Sequence, residues 1–197
     1  MDKATRTKNF IVEKTAKLFN VQGYAGTSIS DITSATGLTK GSVYGNFTNK
    51  EEVALAAFDY NVNRVFQGLR KTQLADNSAL ENLTALFNFH VDHWGDIALN
   101  GGCPLLNAAV EADDNLPFLR GVVQHSFILW ANRIAFIIED GVKKGEFQES
   151  INSQHYAYTF IMLIQGGVLL NKITNDPQHI AKAVERIQQI IKEELAV

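Results

Sequence analysis

The chain has 197 residues, 46% of them hydrophobic, and a formal net charge of −3. Its one cysteine, Cys103, excludes an intrachain disulfide, and the polar start at Asp2 and Lys3 lacks the apolar core of a signal peptide. No unbroken apolar run approaches the ~18 residues of a membrane span, so we expect a cytoplasmic protein without a membrane partner.

Charge divides the chain into two predicted domains. Residues 1–50 carry seven Lys or Arg and three Asp or Glu, a net charge of +4. Residues 51–197 carry eleven and eighteen, a net charge of −7. A basic segment on an acidic body is expected when the segment alone binds phosphate groups. We therefore predict a nucleic-acid-binding domain over 1–50 and a second domain over 51–197.

The basic segment begins with a predicted helix that has Ile11, Thr15 and Phe19 on one face. This pattern stops at Gly23-Tyr24, where a glycine suits the end of a helix. Leu18 lies beside Phe19 in the same apolar-Phe helix end. The sequence thus predicts one amphipathic helix ahead of the segment that carries the clearest motif.

Two short helices are predicted next, joined by a tight turn. Ser28 and Asp31 have the spacing of a capping box, and Gly37 suits the C-terminus of the helix that they start. Thr39 is a candidate N-cap for the following helix, and a further helix is predicted from Lys50. Two short helices with such a turn are typical of a helix-turn-helix.

The second of these short helices has one apolar and one polar face. Val43 and Phe47 point inward at i, i+4 spacing. The outward residues are small or form hydrogen bonds, as a helix in the DNA major groove requires. They are Lys40, Ser42, Tyr44, Gly45 and Asn46.

The whole N-terminal pattern resembles the DNA-binding domain of TetR-type transcriptional regulators. The residues that carry the resemblance are Leu18, Phe19, Gly23, Tyr24, Thr27, Ser28, Ile29, Ile32, Gly37, Leu38, Lys40, Gly41, Ser42, Val43, Tyr44, Phe47 and Lys50. One departure is Gly45-Asn46, where the family usually has two bulkier residues. Gly45 costs about 1 kcal/mol of helix propensity relative to Ala.

We expect these residues to divide the work of binding double-stranded DNA. Lys50 and Tyr44 are predicted to contact phosphates, and Thr27 or Ser28 to anchor the first short helix on the DNA backbone. The candidates for base contacts are Lys40, Ser42 and Asn46.

The rest of the chain reads as successive helices with no strand-period segment. The predicted helices cover 51–71, a segment from Ser78 through Trp94, segments opened by Pro104 and Pro117, 156–173, and 178–194. We therefore predict an all-α fold of about nine helices: a three-helix DNA-binding domain and a larger helical domain.

The family resemblance implies that the second domain binds a small effector and dimerises through its last two long helices. The residues support a homodimer independently, because 156–173 is apolar nearly all round and Gly166-Gly167 would let a helix approach closely. The alternative is that this excess apolar face packs within one chain.

Large apolar residues on three helices predict an effector pocket in the second domain. The candidates are Phe87, Trp94, Phe127, Trp130, Tyr158 and Met162, with Gln165, His93 and His125 as possible polar contacts. The alternative is that they form an ordinary core. His90 and His93 could supply half of a metal site, but no Cys or carboxylate set completes it by spacing. We expect neither a metal nor a cofactor.

Cys103 is a redox candidate, because its position at a predicted helix N-terminus favours the reactive thiolate. The segment that continues with Leu105, Asn107 and Glu111 is similar to a TetR branch that includes repressors of electrophile and oxidant defence. That branch can also carry a lysine at the position of Lys172. The alternative is that Cys103 is a small buried hydrophobic residue.

The leading functional hypothesis is a repressor that a small-molecule effector releases from a palindromic operator. One alternative is a thiol-based repressor acting through Cys103, and another is a ligand-independent helix-turn-helix adaptor. An enzyme is not expected, since the sequence has no phosphate-binding glycine loop, nucleophile elbow or metal signature.

Overall fold

The computed structural model describes residues 2–114 and 116–197, with only the backbone given for Asp114. These residues are mainly helical, which confirms the predicted all-α fold. The helices are α1 (Lys3–Gln22), α2 (Ile29–Thr36), α3 (Lys40–Tyr44), α4 (Lys50–Lys71), α5 (Ala79–Asp92), α6 (Trp94–Leu99), α7 (Pro104–Asp114), α8 (Pro117–Lys143), α9 (Ser153–Thr174) and α10 (Gln178–Ile190). A π-helical turn, Ile191–Leu195, follows α10.

The described residues contain ten α-helices rather than about nine, because the helix predicted through Trp94 is two helices. α5 ends before His93, whose φ of −109° and ψ of 14° are not helical, and α6 begins at Trp94. The His93 N–H still donates to the Phe89 carbonyl, so the interruption is local. Apolar residues keep helical spacing across His93, and the sequence pattern therefore did not predict the interruption.

The chain packs as two compact units. Unit 1 comprises 1–65 and 100–124, and unit 2 comprises 66–99 and 125–197. Unit 1 therefore includes α7 together with the three helices of the predicted DNA-binding domain. The proposed functional boundary at residue 50 is a different division of the chain and stays a prediction.

Aromatic packing holds the core of unit 1. Phe19 at the end of α1 stacks on Tyr24 with ring centroids 5.5 Å apart, and Tyr24 meets Phe58 of α4 edge-on at 6.4 Å. Asn61 of α4 donates its side-chain amide to the Ala16 carbonyl at 2.7 Å. Burying each of these rings contributes about 1.5–3 kcal/mol, and together they fix α1 against α4.

The packing of α10 on α9 dominates unit 2. The apolar face of α10, with Ile180, Val184 and Ile187, is buried within the chain. Gly167 permits this approach, because a Cβ there would lie 3.0 Å from the Ala183 Cβ, whereas a Cβ at Gly166 would meet open space. The close helix contact expected at this glycine pair thus occurs within one chain at Gly167.

Among the described helices, α8 is long and apolar enough to cross a membrane by length and composition alone. A core helix meets the same criteria, and α8 buries Trp130, Ile134 and Ile138 inside unit 2. This helix therefore gives no support for a membrane partner.

Candidate functional site

Capping residues fix both ends of α2. Ser28 Oγ accepts the Asp31 N–H at 3.2 Å, and Asp31 Oδ2 accepts the Ser28 N–H at 2.8 Å. This is the predicted capping box. Gly37 ends the helix with a φ of 70°, a left-handed conformation that glycine adopts without strain. The tight turn that defines a helix-turn-helix follows directly.

α3 is a single short helix that presents a polar face to solvent. Thr39 caps it by accepting the Ser42 N–H at 3.1 Å, as predicted, and Val43 and Phe47 are buried. The helix ends at Gly45, so the Asn46 side chain extends from just beyond it and donates to the Ser42 carbonyl at 2.9 Å. The short helix agrees with the low helix propensity of Gly45.

The residues proposed to contact bases and phosphates around α3 differ in exposure. Lys40 and Tyr44 are exposed, and the Lys40 ammonium lies 5.9 Å from the Tyr44 ring centroid. Ser42 and Asn46 are half-buried. These four side chains therefore lie on or beside one accessible helix, although their individual DNA contacts stay predictions.

Thr27 and Ser28 were alternative anchors, and the geometry favours Ser28. Thr27 is fully buried, and its hydroxyl donates to the Gly23 carbonyl at 2.7 Å. Ser28 is exposed at the N-terminus of α2. Lys50 donates from Nζ to the Thr27 carbonyl at 2.9 Å, which holds its ammonium beside that N-terminus.

Lys8 and Glu52 lie beside the helix-turn-helix but were not among the residues predicted from the sequence. Lys8 Nζ lies 2.8 Å from Glu52 Oε1 and 4.7 Å from the Phe47 ring centroid. Glu52 also accepts the Thr48 N–H, and these bonds, led by that from Lys8, lower the pKa of the Glu52 carboxyl to about 2. Asn49 and Glu52 have the spacing of a capping box, and this spacing could have indicated a structural role for Glu52.

The residues proposed to line an effector pocket lie in different environments of unit 2. Phe87, Trp130 and Gln165 are buried, and Trp94 and Phe127 are half-buried. Tyr158 and Met162 are 43% and 66% exposed, so they lie on the surface of α9 rather than in the interior.

Trp130, a buried member of this set, belongs to an aromatic pair. Trp130 stacks on His90 with ring centroids 5.9 Å apart. Burial lowers the pKa of His90 to about 4, so the ring is neutral near pH 7. Within the described residues, His90 Nδ1 and Trp130 Nε1 are buried without a hydrogen bond.

A separate surface cavity of about 420 Å³ lies in unit 2 between the loop after α4 and the second half of α8. The Arg133 guanidinium donates two hydrogen bonds to the Gln73 side-chain oxygen there, and Asp140 forms an ion pair with Lys144 at 2.7 Å. None of the predicted pocket residues lines this cavity. Its charged lining is satisfied by these internal contacts.

An apolar stripe of exposed side chains runs along α9. Its residues at helical spacing are Tyr158, Met162, Leu169, Leu170 and Ile173, with Gly166 opening onto solvent between them. Ile187 lies on α10, the second of the two helices expected to form the dimer interface, and is fully buried within unit 2. A charge at Ile187 would therefore disrupt the fold of one chain instead of an interface.

The redox candidates lie in different units. Cys103 is half-buried, directly before α7 in unit 1, and its carbonyl accepts the Asn107 N–H at 3.0 Å. Lys172 is exposed on α9 in unit 2. Among the described residues no group of three or more His, Cys, Asp or Glu has the arrangement of a metal site.

Comparison with known proteins identifies both parts of the chain. The family described as "Bacterial regulatory proteins, tetR family" matches residues 11–57, and "Tetracyclin repressor-like, C-terminal domain" matches residues 79–187. A crystal structure of a TetR-family transcriptional regulator from Cytophaga hutchinsonii is 38% identical, with a TM-score of 0.94 over 100% of this chain and 98% of that one.

Two curated relatives agree with this match. An HTH-type transcriptional regulator of Lactococcus lactis subsp. lactis is 29% identical over 86% of this chain and 85% of its own length. The HTH-type transcriptional repressor DhaR of Mycobacterium sp. (strain GP1) is 27% identical over 86% of this chain and 84% of its own length.

Proposed function

This chain belongs to the TetR family of DNA-binding transcriptional regulators, and we propose that it is a repressor that a small-molecule effector releases from a palindromic operator. The observation that carries the proposal is the exposed polar face of α3 on a segment with a net charge of +4. Repression as the direction of control is supported by the relative named as a repressor. We also propose that the protein is cytoplasmic and is not an enzyme.

Within this proposal, α3 enters the major groove with Lys40, Ser42 and Asn46 facing the bases. Tyr44 and Lys50 face phosphates, and Ser28 anchors the N-terminus of α2, where the helix dipole favours an anion. A basic module at the end of an acidic chain directs the phosphate backbone to this surface.

A homodimer is part of the proposal because of the exposed face of α9. An apolar stripe that includes Met162 and Ile173, respectively 66% and 72% exposed, is costly to leave in water. A second copy of α9 placed against it would bury the stripe, with Gly166 at the point of closest approach. A two-fold dimer would also present two α3 helices to the two halves of a palindrome.

The effector site is proposed for the interior of unit 2, around Trp130 and His90. The unpartnered Trp130 Nε1 is a donor, and a neutral His90 offers Nδ1 as a donor or an acceptor. An uncharged molecule with a hydroxyl or carbonyl group would satisfy both nitrogens where a charged one would pay a large desolvation cost. To release DNA, it must bind the DNA-incompetent state more tightly.

Selection of bound duplexes from a random DNA pool tests the function. We expect the wild-type protein to enrich one palindromic sequence, with affinity that falls steeply as salt rises. Recovery of no preferred sequence would contradict the proposal, and so would a sequence without two-fold symmetry. Turnover of a substrate in the absence of DNA would support an enzyme instead.

A further inference from the structure

The turn that joins α1 to α2, residues 24–27, leads directly into Ser28, the N-cap of α2. Two of its peptide N–H groups point at one side chain from a distant segment. Glu111 Oε1 accepts the Tyr24 N–H at 2.9 Å, and Glu111 Oε2 accepts the Ala25 N–H at 2.8 Å. Both oxygens of one carboxylate thus hold consecutive peptide groups of the turn.

A cation holds the carbonyl groups of the same turn. Lys50 Nζ donates to the Thr27 carbonyl at 2.9 Å and lies 3.4 Å from the carbonyl oxygens of Tyr24 and Ala25. Hydrogen bonds to charged groups are about twice as strong as neutral ones. The 24–27 turn is therefore clamped between Glu111 on α7 and Lys50 at the start of α4.

One turn before Glu111 on the same face of α7, Asn107 holds the end of α1. Its side-chain amide donates to the Asn20 carbonyl at 3.1 Å, to Asn20 Oδ1 at 3.0 Å and to the Gly101 carbonyl at 2.8 Å. Asn20 in turn donates to the Gly102 carbonyl at 3.1 Å. The i, i+4 pair of Asn107 and Glu111 thus ties α7 to the entry of the helix-turn-helix.

Two glycines allow these segments to approach so closely. A Cβ at Gly23, where φ is 89°, would lie 3.0 Å from Glu111 Oε1. A Cβ at Gly101, where φ is 93°, would lie 2.7 Å from the Asn20 carbonyl oxygen. Any other residue at either position would be strained and would push α7 away from the turn.

We propose that Glu111 is a positioning residue for DNA binding, which sets the start of α2 and thereby α3 without contacting DNA itself. A carboxylate is repelled by phosphates, so any gain in DNA affinity from Glu111 must come through the turn that it holds. Lys50 differs, because its positive charge can serve both the turn and a phosphate. This inference rests on the proposed function.

The test compares Glu111→Ala and Glu111→Gln with Asp113→Asn, which neutralises an exposed carboxylate on the same helix. Affinity for the selected operator is measured against salt, and amide exchange at Tyr24 and Ala25 is measured without DNA. We expect about tenfold weaker binding for Glu111→Ala and an unchanged salt slope, because no phosphate contact is lost. Exchange at both amides should accelerate, with Glu111→Gln intermediate and Asp113→Asn unchanged.

Wild-type affinity in both Glu111 variants would overturn the inference, as would an equal loss in Asp113→Asn. Weaker operator binding by Glu111→Ala with unchanged amide exchange at Tyr24 and Ala25 would also overturn it, because the loss would then not come through the turn. If Glu111→Ala unfolds, the operator affinity of Glu111→Gln decides the question. This variant keeps one acceptor oxygen, and circular dichroism checks that it is folded. A wild-type protein that binds no DNA would instead refute the proposed function, and the positioning role would fail with it.

Discussion

The exposed surfaces of the helix-turn-helix and of α9 differ in whether their side chains already have bonding partners within the same chain. In the helix-turn-helix, side chains such as Ser28 and Asn46 are already bonded to neighbouring groups of the same chain, and charged residues hold its turns. On α9 an exposed stripe of side chains, including Met162 and Ile173, is apolar. The first surface is formed by one chain alone, whereas the second is expected to be completed by another copy.

The largest effect should come from placing a charge on the α9 stripe. Leu169→Glu should give a folded monomer, because Leu169 is exposed in the single chain and a buried carboxylate opposes a dimer. Losing bivalent binding should weaken operator affinity about a thousandfold. Sedimentation and DNA titration check both effects.

Leu80→Glu, the same change at an exposed leucine of α5, is the control and should stay dimeric. A dimeric Leu169→Glu protein with wild-type affinity would show that α9 is not the interface. Ile187→Glu is unsuitable for this purpose, because it should unfold unit 2.

The next largest effect is a loss of stability at low pH, caused by a residue in the interior of unit 2. His90 is neutral in the folded state, where its pKa is about 4, and an unfolded histidine takes up a proton near pH 6.5. The unfolded state therefore binds more protons between these values, and stability is lost as pH falls from about 6.5 towards 4. The cost at pH 4 is about 3 kcal/mol.

His90→Phe should remove this part of the pH dependence, as measured by chemical unfolding at a series of pH values. His125→Phe, at an exposed histidine, should keep the wild-type slope. If both variants lose stability with falling pH as steeply as the wild type, His90 is not the titrating group.

A smaller effect is expected at the DNA surface. Lys50→Ala should weaken binding about tenfold for every sequence and reduce the salt slope by about 0.9, because one phosphate contact is lost. Substitutions of Ser42 or Asn46 should instead change which sequences are preferred. An unchanged salt slope in Lys50→Ala would limit Lys50 to its bonds with the 24–27 turn.

The smallest effect is expected at Cys103. Cys103→Ser should bind operator and respond to effector as the wild type does, and Trp130 fluorescence should change in both proteins when effector binds. Oxidants and alkylating electrophiles should leave wild-type DNA binding intact. Release of the wild type by these reagents, with Cys103→Ser resistant, would establish the thiol-based alternative.

The difference between the two regions also explains what the sequence could predict. The caps of α2 and α3, at Ser28, Gly37 and Thr39, follow from residues within four positions of one another. Local patterns therefore predicted the helix-turn-helix correctly. The break at His93 was missed because helical spacing continues through it.

Contacts between distant segments were beyond the reach of such patterns. The hydrogen bond that the Tyr24 N–H donates to Glu111 joins residues 87 positions apart, and nothing near Glu111 specifies it. Likewise, periodicity predicts an apolar face at both Ile187 and Met162 but not which face another helix covers. The structure buries Ile187 and leaves Met162 exposed.

The most direct test of the central claim, a homodimer on a palindrome, is the mass of the complex with the selected operator. We expect two chains per duplex, with half-site centres about 34–36 Å apart. Inserting five base pairs between the half-sites, about half a DNA turn, should then abolish tight binding. One chain per duplex, with affinity unchanged by the insertion, would contradict the claim.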